Sequence, residues 1–166
     1  MDIAPKLPDI LISIPWFSEL NQPQRNRIGE ISIRREVDAM ETIFLQGDKE
    51  DYTYILLKGQ VAIEMTIPGH EPVRVHLSEP GEIIGWSSVM PIIRQRTATA
   101  RSNTPCQLLA IESVKFRELC DEDHDMGYFL MRRLANIVAT RLLLTRLQLV
   151  DLLTNAPRKD RYIVNQ

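Results

Sequence analysis

Apolar and polar positions fall into three regimes along the chain. In residues 14–31, "IPWFSELNQPQRNRIGEI", Trp16, Phe17 and Leu20 recur at helical spacing. Asn21 followed by Pro23 has the form of a helix N-cap with proline in the first turn. From Ile33 to Ile111 the pattern changes to short β-rich runs separated by turn residues. "ETIFLQGD" ends in the Gly47-Asp48 turn, and "PGHE" at 68–71 is a second turn. "YTYILLKGQVAIEMTI" holds two β-rich runs around Lys58-Gly59, which predicts a hairpin there. Strands at this spacing predict a sandwich or barrel.

The third regime is helical. "SVKFREL" predicts a short helix with Ser113 as its N-cap. From His124 to Leu153 only Gly127 interrupts a sequence rich in Leu, Ala and Arg, which predicts one helix of about 45 Å. Met131, Ala135, Val138, Leu142, Thr145, Leu149 and Leu152 step by four and three, a heptad-like stripe. Leu130, Leu134, Ile137 and Leu144 form a second stripe beside it. Two readings stand: both stripes bury against the same body, or one packs there and the other on a second copy. A helix this long outreaches a small β-body, so self-association is the expectation. The regimes divide the chain into a helical lead-in with a β-body over 1–123, a long helix over 124–155 and a polar tail over 156–166.

Composition narrows the function classes. Net charge is −2 and the sequence pI about 5.9, without the basic footprint of a nucleic-acid-binding domain. Cys106 and Cys120 are the only cysteines, and they make neither a disulfide framework nor a CxxC pair. The N-terminal segment has no basic start and is broken by Pro5, Pro8 and Pro15, unlike a signal peptide or membrane anchor. The expected compartment is the cytoplasm. His70 and His76 lie six apart in "GHEPVRVH", without the pattern of a metal centre, and there is no Walker loop, GxGxxG or triad context. Enzymatic readings find no support, and no cofactor is expected.

The segment 80–100, "PGEIIGWSSVMPIIRQRTATA", carries the candidate chemistry. Its exit, Arg96-Thr97-Ala98, joins a planar guanidinium fork to a hydroxyl and a small residue, which suits a phosphate. Residues 87–91, "SSVMP", offer helix N-terminal N–H groups to the same anion. The alternative is an arginine paired with a carboxylate at the surface.

Taken in order, several segments resemble the cyclic nucleotide-binding domain family. "IPWFSELNQPQRNRI" resembles its lead-in helix. "IFLQGDKEDYTYILLKGQVAI" (43–63) resembles its first β region. "PGEIIG" (80–85) and "RTATA" (96–100) resemble the entry and exit of its phosphate-binding cassette, and the long helix stands where the family has its C-helix. The resemblance spans residues 14–153 and implies an eight-stranded β-roll, a jelly roll in the mainly-β class, flanked by N-terminal helices and the long C-terminal helix. It also implies a sensor whose ligand is a small anion, cyclic AMP or cyclic GMP in the first instance. The cassette carries over residue by residue as Gly85, then Trp86, Ser87 and Ser88 in place of Glu-Leu-Ala, then Arg96, Thr97 and Ala98.

Trp86 is the departure. The family glutamate accepts from the ribose 2′-hydroxyl, whereas indole has one donor and no acceptor. A hydrogen bond to a charged group is worth about 1.5–3 kcal/mol, so its loss weakens a cyclic nucleotide by roughly 10- to 150-fold. Ser87 or Ser88 recovers part of this in one reading. In others Trp86 stacks on a base, plugs the pocket or packs in the core. Matching "ATRLLLTRL" to the family's C-helix puts Thr145 at a base-contacting threonine, and seam filler is the competing account. Bacterial members with a DNA-binding helix-turn-helix carry it after this helix. Here some thirteen residues remain, with Arg158, Lys159 and Arg161 the only basic cluster. The expectation is therefore a stand-alone module that binds a small anion weakly and relays it through the long helix. It forms a homodimer through that helix and acts on a downstream protein, without direct nucleic-acid or membrane contact. The alternative is a dimeric scaffold that binds no ligand and works by protein–protein contact.

Overall fold

The computed structural model describes residues 7–49, 51–90 and 95–155; the expected tail and its basic residues lie outside them. The lead-in is α1 (Leu7–Ser13), a 3-10 turn (Pro15–Phe17) and α2 (Gln22–Glu30). Asn21 caps α2 as its sequence predicts. Its side chain accepts from the Gln24 N–H at 2.9 Å, while the Gln24 side chain accepts from the Asn21 N–H at 3.1 Å. Leu11, Trp16, Phe17, Leu20 and Ile28 are all buried.

Eight strands follow among the described residues: β1 (Ser32–Val37), β2 (Thr42–Phe44), β3 (Tyr52–Lys58), β4 (Val61–Met65), β5 (Val73–Ser78), β6 (Ile83–Ile84), β7 (Thr99–Ser102) and β8 (Cys106–Glu112). They form two antiparallel four-stranded sheets, ordered β1-β8-β3-β6 and β2-β7-β4-β5. The hydrophobic core lies between them, built from Val37, Tyr54, Leu56, Ile84, Leu108 and Ala110 of one sheet with Ile43, Val61 and Ala100 of the other. Period-2 alternation sends these side chains inward. β8 also buries Leu109 and Ile111, which point the other way. A strand covered on both faces reads as one apolar run, and "LLAI" is that run.

The hairpin predicted around Lys58-Gly59 does not form. β3 pairs with β6 and β8, and β4 with β5 and β7, so the turn carries the chain from one sheet to the other. Glycine is required there: φ is +93°, and a Cβ would lie 2.5 Å from the Pro105 carbonyl oxygen. The 68–71 turn does join a hairpin, β4 with β5.

After β8 come α3 (Ser113–Glu122) and α4 (His124–Asn155). Ser113 is not the N-cap of α3. Glu112 takes that position without a side-chain bond, and the Ser113 hydroxyl donates instead to Ser88 Oγ at 2.7 Å. Asp123 ends α3 and caps α4, its Oδ1 accepting from the Met126 N–H at 2.9 Å. Gly127 lets the start of α4 lie against α3, since a Cβ would stand 2.5 Å from the Cys120 carbonyl oxygen. The chain divides into two compact units, one ending at Leu130 and one beginning at Met131. The second contains the remainder of α4, where Leu142, Leu143, Leu144, Leu147, Leu149, Val150, Leu152 and Leu153 are all exposed.

Candidate functional site: the 85–98 cassette

The cassette begins where β6 ends. Gly85 adopts φ +68°, ψ 32°, a left-handed conformation that suits glycine. From there Trp86–Val89 make a single 3-10 turn. The Gly85 carbonyl takes three donors: the Ser88 N–H at 3.1 Å, the Ser88 hydroxyl at 2.9 Å and Arg96 Nη1 at 3.0 Å. Space demands glycine as well. A Cβ would collide with Arg96 Nη1 and stand 3.2 Å from its Cζ and 3.3 Å from Phe44 Cε1.

Arg96 is buried, with 4% of its surface exposed. Its backbone is held by the Gly47-Asp48 turn: the Gly47 N–H donates to the Arg96 carbonyl at 2.8 Å, and the Arg96 N–H to the Asp48 carbonyl at 2.9 Å. The Asp48 carboxylate fixes that turn by accepting from the Leu45 N–H at 2.8 Å. The guanidinium donates to the Gly85 and Tyr52 carbonyls and lies over the Phe44 ring, 4.1 Å from its centroid. Phe44 in turn stacks on Tyr54. Arg96 therefore joins four segments of the β-body and is not a surface side chain. A cation over a ring face, donating to two carbonyls, is well stabilised where it stands.

The other predicted residues separate. Ser87 and Ser88 are buried. The Ser88 hydroxyl is committed to Ser113 and the Gly85 carbonyl, and the Ser88 carbonyl accepts from Arg117 Nη1 at 2.6 Å. Ser88 thus ties the cassette to α3. Trp86 is half-buried, Thr97 exposed and Ala98 half-buried. Thr145 belongs to the second unit, exposed, with its hydroxyl donating to the Arg141 carbonyl at 2.9 Å. His76 pairs with Glu82 at 2.7 Å, and His70 is exposed. Among the described residues no group of His, Cys, Asp or Glu is arranged to hold a metal ion.

Sequence reasoning missed Phe44, Tyr52, Ser113 and Arg117 as neighbours of the cassette. Tyr52 contributes a backbone carbonyl, which no side-chain pattern announces. Phe44 does leave a trace, since it is the aromatic three positions before Gly47, the turn that holds the Arg96 backbone.

The model of the cyclic nucleotide-binding domain matches residues 34–123, more than half of the chain. The chain belongs to the cyclic nucleotide-binding domain family. Over 105 residues it is 30% identical to the cAMP-activated global transcriptional regulator CRP of Salmonella typhimurium, covering 63% of this chain and 48% of that one. It is 31% identical over 103 residues to the cAMP-dependent protein kinase regulatory subunit of Yarrowia lipolytica, covering 62% and 26%. The crystal structure of the Thermus thermophilus catabolite activator protein matches with a TM-score of 0.68 at 27% identity, covering 84% of this chain and 63% of that one. The chain spans about half the length of the first curated regulators it matches. The two four-stranded sheets, the lead-in helices and the long helix are the jelly-roll architecture of this family. No helix among the described residues is long and apolar enough to cross a membrane.

Proposed function

We propose that this domain is a sensor module that takes a cyclic nucleotide, or another small anion, weakly in the 85–98 cassette. The observation that carries this reading is the Gly85–Arg96 pairing: a left-handed glycine leaves the space that a buried guanidinium fills. An entering phosphate competes with the Gly85 and Tyr52 carbonyls for the same guanidinium. Trp86 offers no acceptor to a ribose hydroxyl, and the Ser88 hydroxyl is spent on protein groups. Both features weaken binding relative to a cassette with glutamate at that place. Binding biases the long helix between two positions, to the extent that the ligand prefers one of them. The exposed leucines of α4 support a homodimer through this helix, read by a downstream protein.

Calorimetric titration of the full chain with cyclic AMP and cyclic GMP tests the reading. The expected result is binding in about the micromolar range, lost in Arg96→Lys, which keeps the charge but not the fork. Absence of heat with both nucleotides overturns it. That outcome favours the dimeric scaffold, a reading to which the close contact of Arg96 with Phe44 also lends itself.

A further inference from the structure

The Arg96 guanidinium rests on Phe44, a side chain outside the cassette itself. Phe44 is the last residue of β2, paired with Ala100 of β7. Three positions on lies Gly47, in the turn that holds the Arg96 backbone. One short stretch of chain therefore fixes both the backbone of Arg96 and the ring beneath its side chain. The ring is itself pinned. It stacks on Tyr54, with centroids 6.0 Å apart and planes at 22°, and Tyr54 is buried in the core between the sheets. Arg96 Cζ stands 4.1 Å from the Phe44 centroid and 5.9 Å from that of Tyr54. A guanidinium that moves leaves these faces behind.

It has to move to meet a ligand. Only 4% of Arg96 is exposed, and Nη1 and Nη2 donate to the Gly85 and Tyr52 carbonyls. A phosphate gripped by both arms of the fork takes the guanidinium from the place where Phe44 holds it. The apparent affinity is then the intrinsic affinity reduced by the fraction of chains whose fork is released. A cation over a ring is held more strongly when desolvated than when exposed, which keeps that fraction small. We propose that Phe44 is a positioning residue that holds Arg96 in a closed state and thereby sets how weakly the cassette takes its anion. This rests on the reading of the cassette as a cyclic nucleotide site. It adds to Trp86 a second, separate cause of weak binding, one that acts through the arginine rather than the ribose.

Calorimetric titration of cyclic AMP into the full-length wild-type, Phe44→Leu and Phe44→Tyr chains tests it. Leucine keeps apolar bulk against Tyr54 and offers no aromatic face, whereas tyrosine keeps the face. Phe44→Leu is expected to bind about fivefold more tightly than the wild-type chain, and Phe44→Tyr within about twofold of it. A ring that served packing alone would give the opposite sign, because its loss would loosen the cassette and weaken binding. Equal or weaker binding by Phe44→Leu therefore overturns the proposal while the cyclic nucleotide reading stands. No heat from any of the three chains overturns that reading and the proposal with it. Urea denaturation gives a readout without ligand. Phe44→Leu is expected to cost less stability in an Arg96→Gln chain than in the wild-type chain, since the contact is already gone there. Equal losses in the two backgrounds mean that ring and guanidinium do not hold each other, and overturn the proposal.

Discussion

Gly85 and Arg96 occupy each other's space. The guanidinium lies where a side chain at position 85 would begin, and φ at that position is +68°. Gly85→Ala therefore meets two penalties, left-handed strain of about 1–2 kcal/mol and the displacement of Arg96 from two carbonyls and an aromatic face. Urea denaturation should show a loss of stability larger than the strain alone, and a loss no larger means that the guanidinium moves aside at little cost. Cys120 poses a different residue-scale question. Burial raises its thiol pKa to about 11, with Asp121 and Asp123 adding to the effect. Alkylation at pH 8 should be much slower than for an exposed thiol in the native chain and should become fast on unfolding. The sequence made Gly85 and Arg96 legible because their spacing carries the cassette pattern. It did not disclose that Ser88 bonds Ser113, since both are ordinary surface residue types and only the fold brings them together.

Asp123 matters for how two helices meet. It caps α4 through the Met126 N–H and receives the Gln24 side-chain amide of α2 at 2.9 Å. These bonds, the Met126 N–H foremost, hold its carboxyl below the ordinary carboxylate value. The unfolded chain has an ordinary aspartate, near pH 3.9. The cap's contribution is therefore fully present above about pH 4 and is lost as the pH falls through the lowered folded value. Asp123→Asn keeps an acceptor that does not titrate, so stability measured by urea from pH 5 down to pH 2 should fall less steeply than in the wild-type chain. An unchanged slope would mean that the cap carries no charge-dependent stability. Helix ends were legible where the signal is local: Asn21 and Pro23 specify α2 within four residues. Ser113 misled because a serine before an apolar run also fits a residue whose hydroxyl points into the core. The helix it opens begins without a side-chain cap, held instead by the Ser113–Ser88 bond and the Arg117 bond to the Ser88 carbonyl.

At the scale of the whole molecule the alternation of apolar residues specified strands and the turns specified their order. Partners were harder to read. A period of two shows which residues share a face but not which sheet a strand joins. Gly59 marks a turn equally well for a hairpin and for a crossing between sheets, and only the pairing of β3 with β6 and β8 and of β4 with β5 and β7 distinguishes them. The cassette sits where that arrangement brings the start of β3, the end of β6 and the approach to β7 together around Arg96. In the proposed reading the Arg96 guanidinium serves as the anion fork, and Trp86 offers no acceptor to a ribose. Trp86 is half-buried, so glutamate can replace it without opening the core. The most direct measurement is calorimetric titration of cyclic AMP into the wild-type chain and Trp86→Glu side by side. The account predicts that the variant binds at least about tenfold more tightly. Equal affinity in the two chains, or binding by neither, contradicts it.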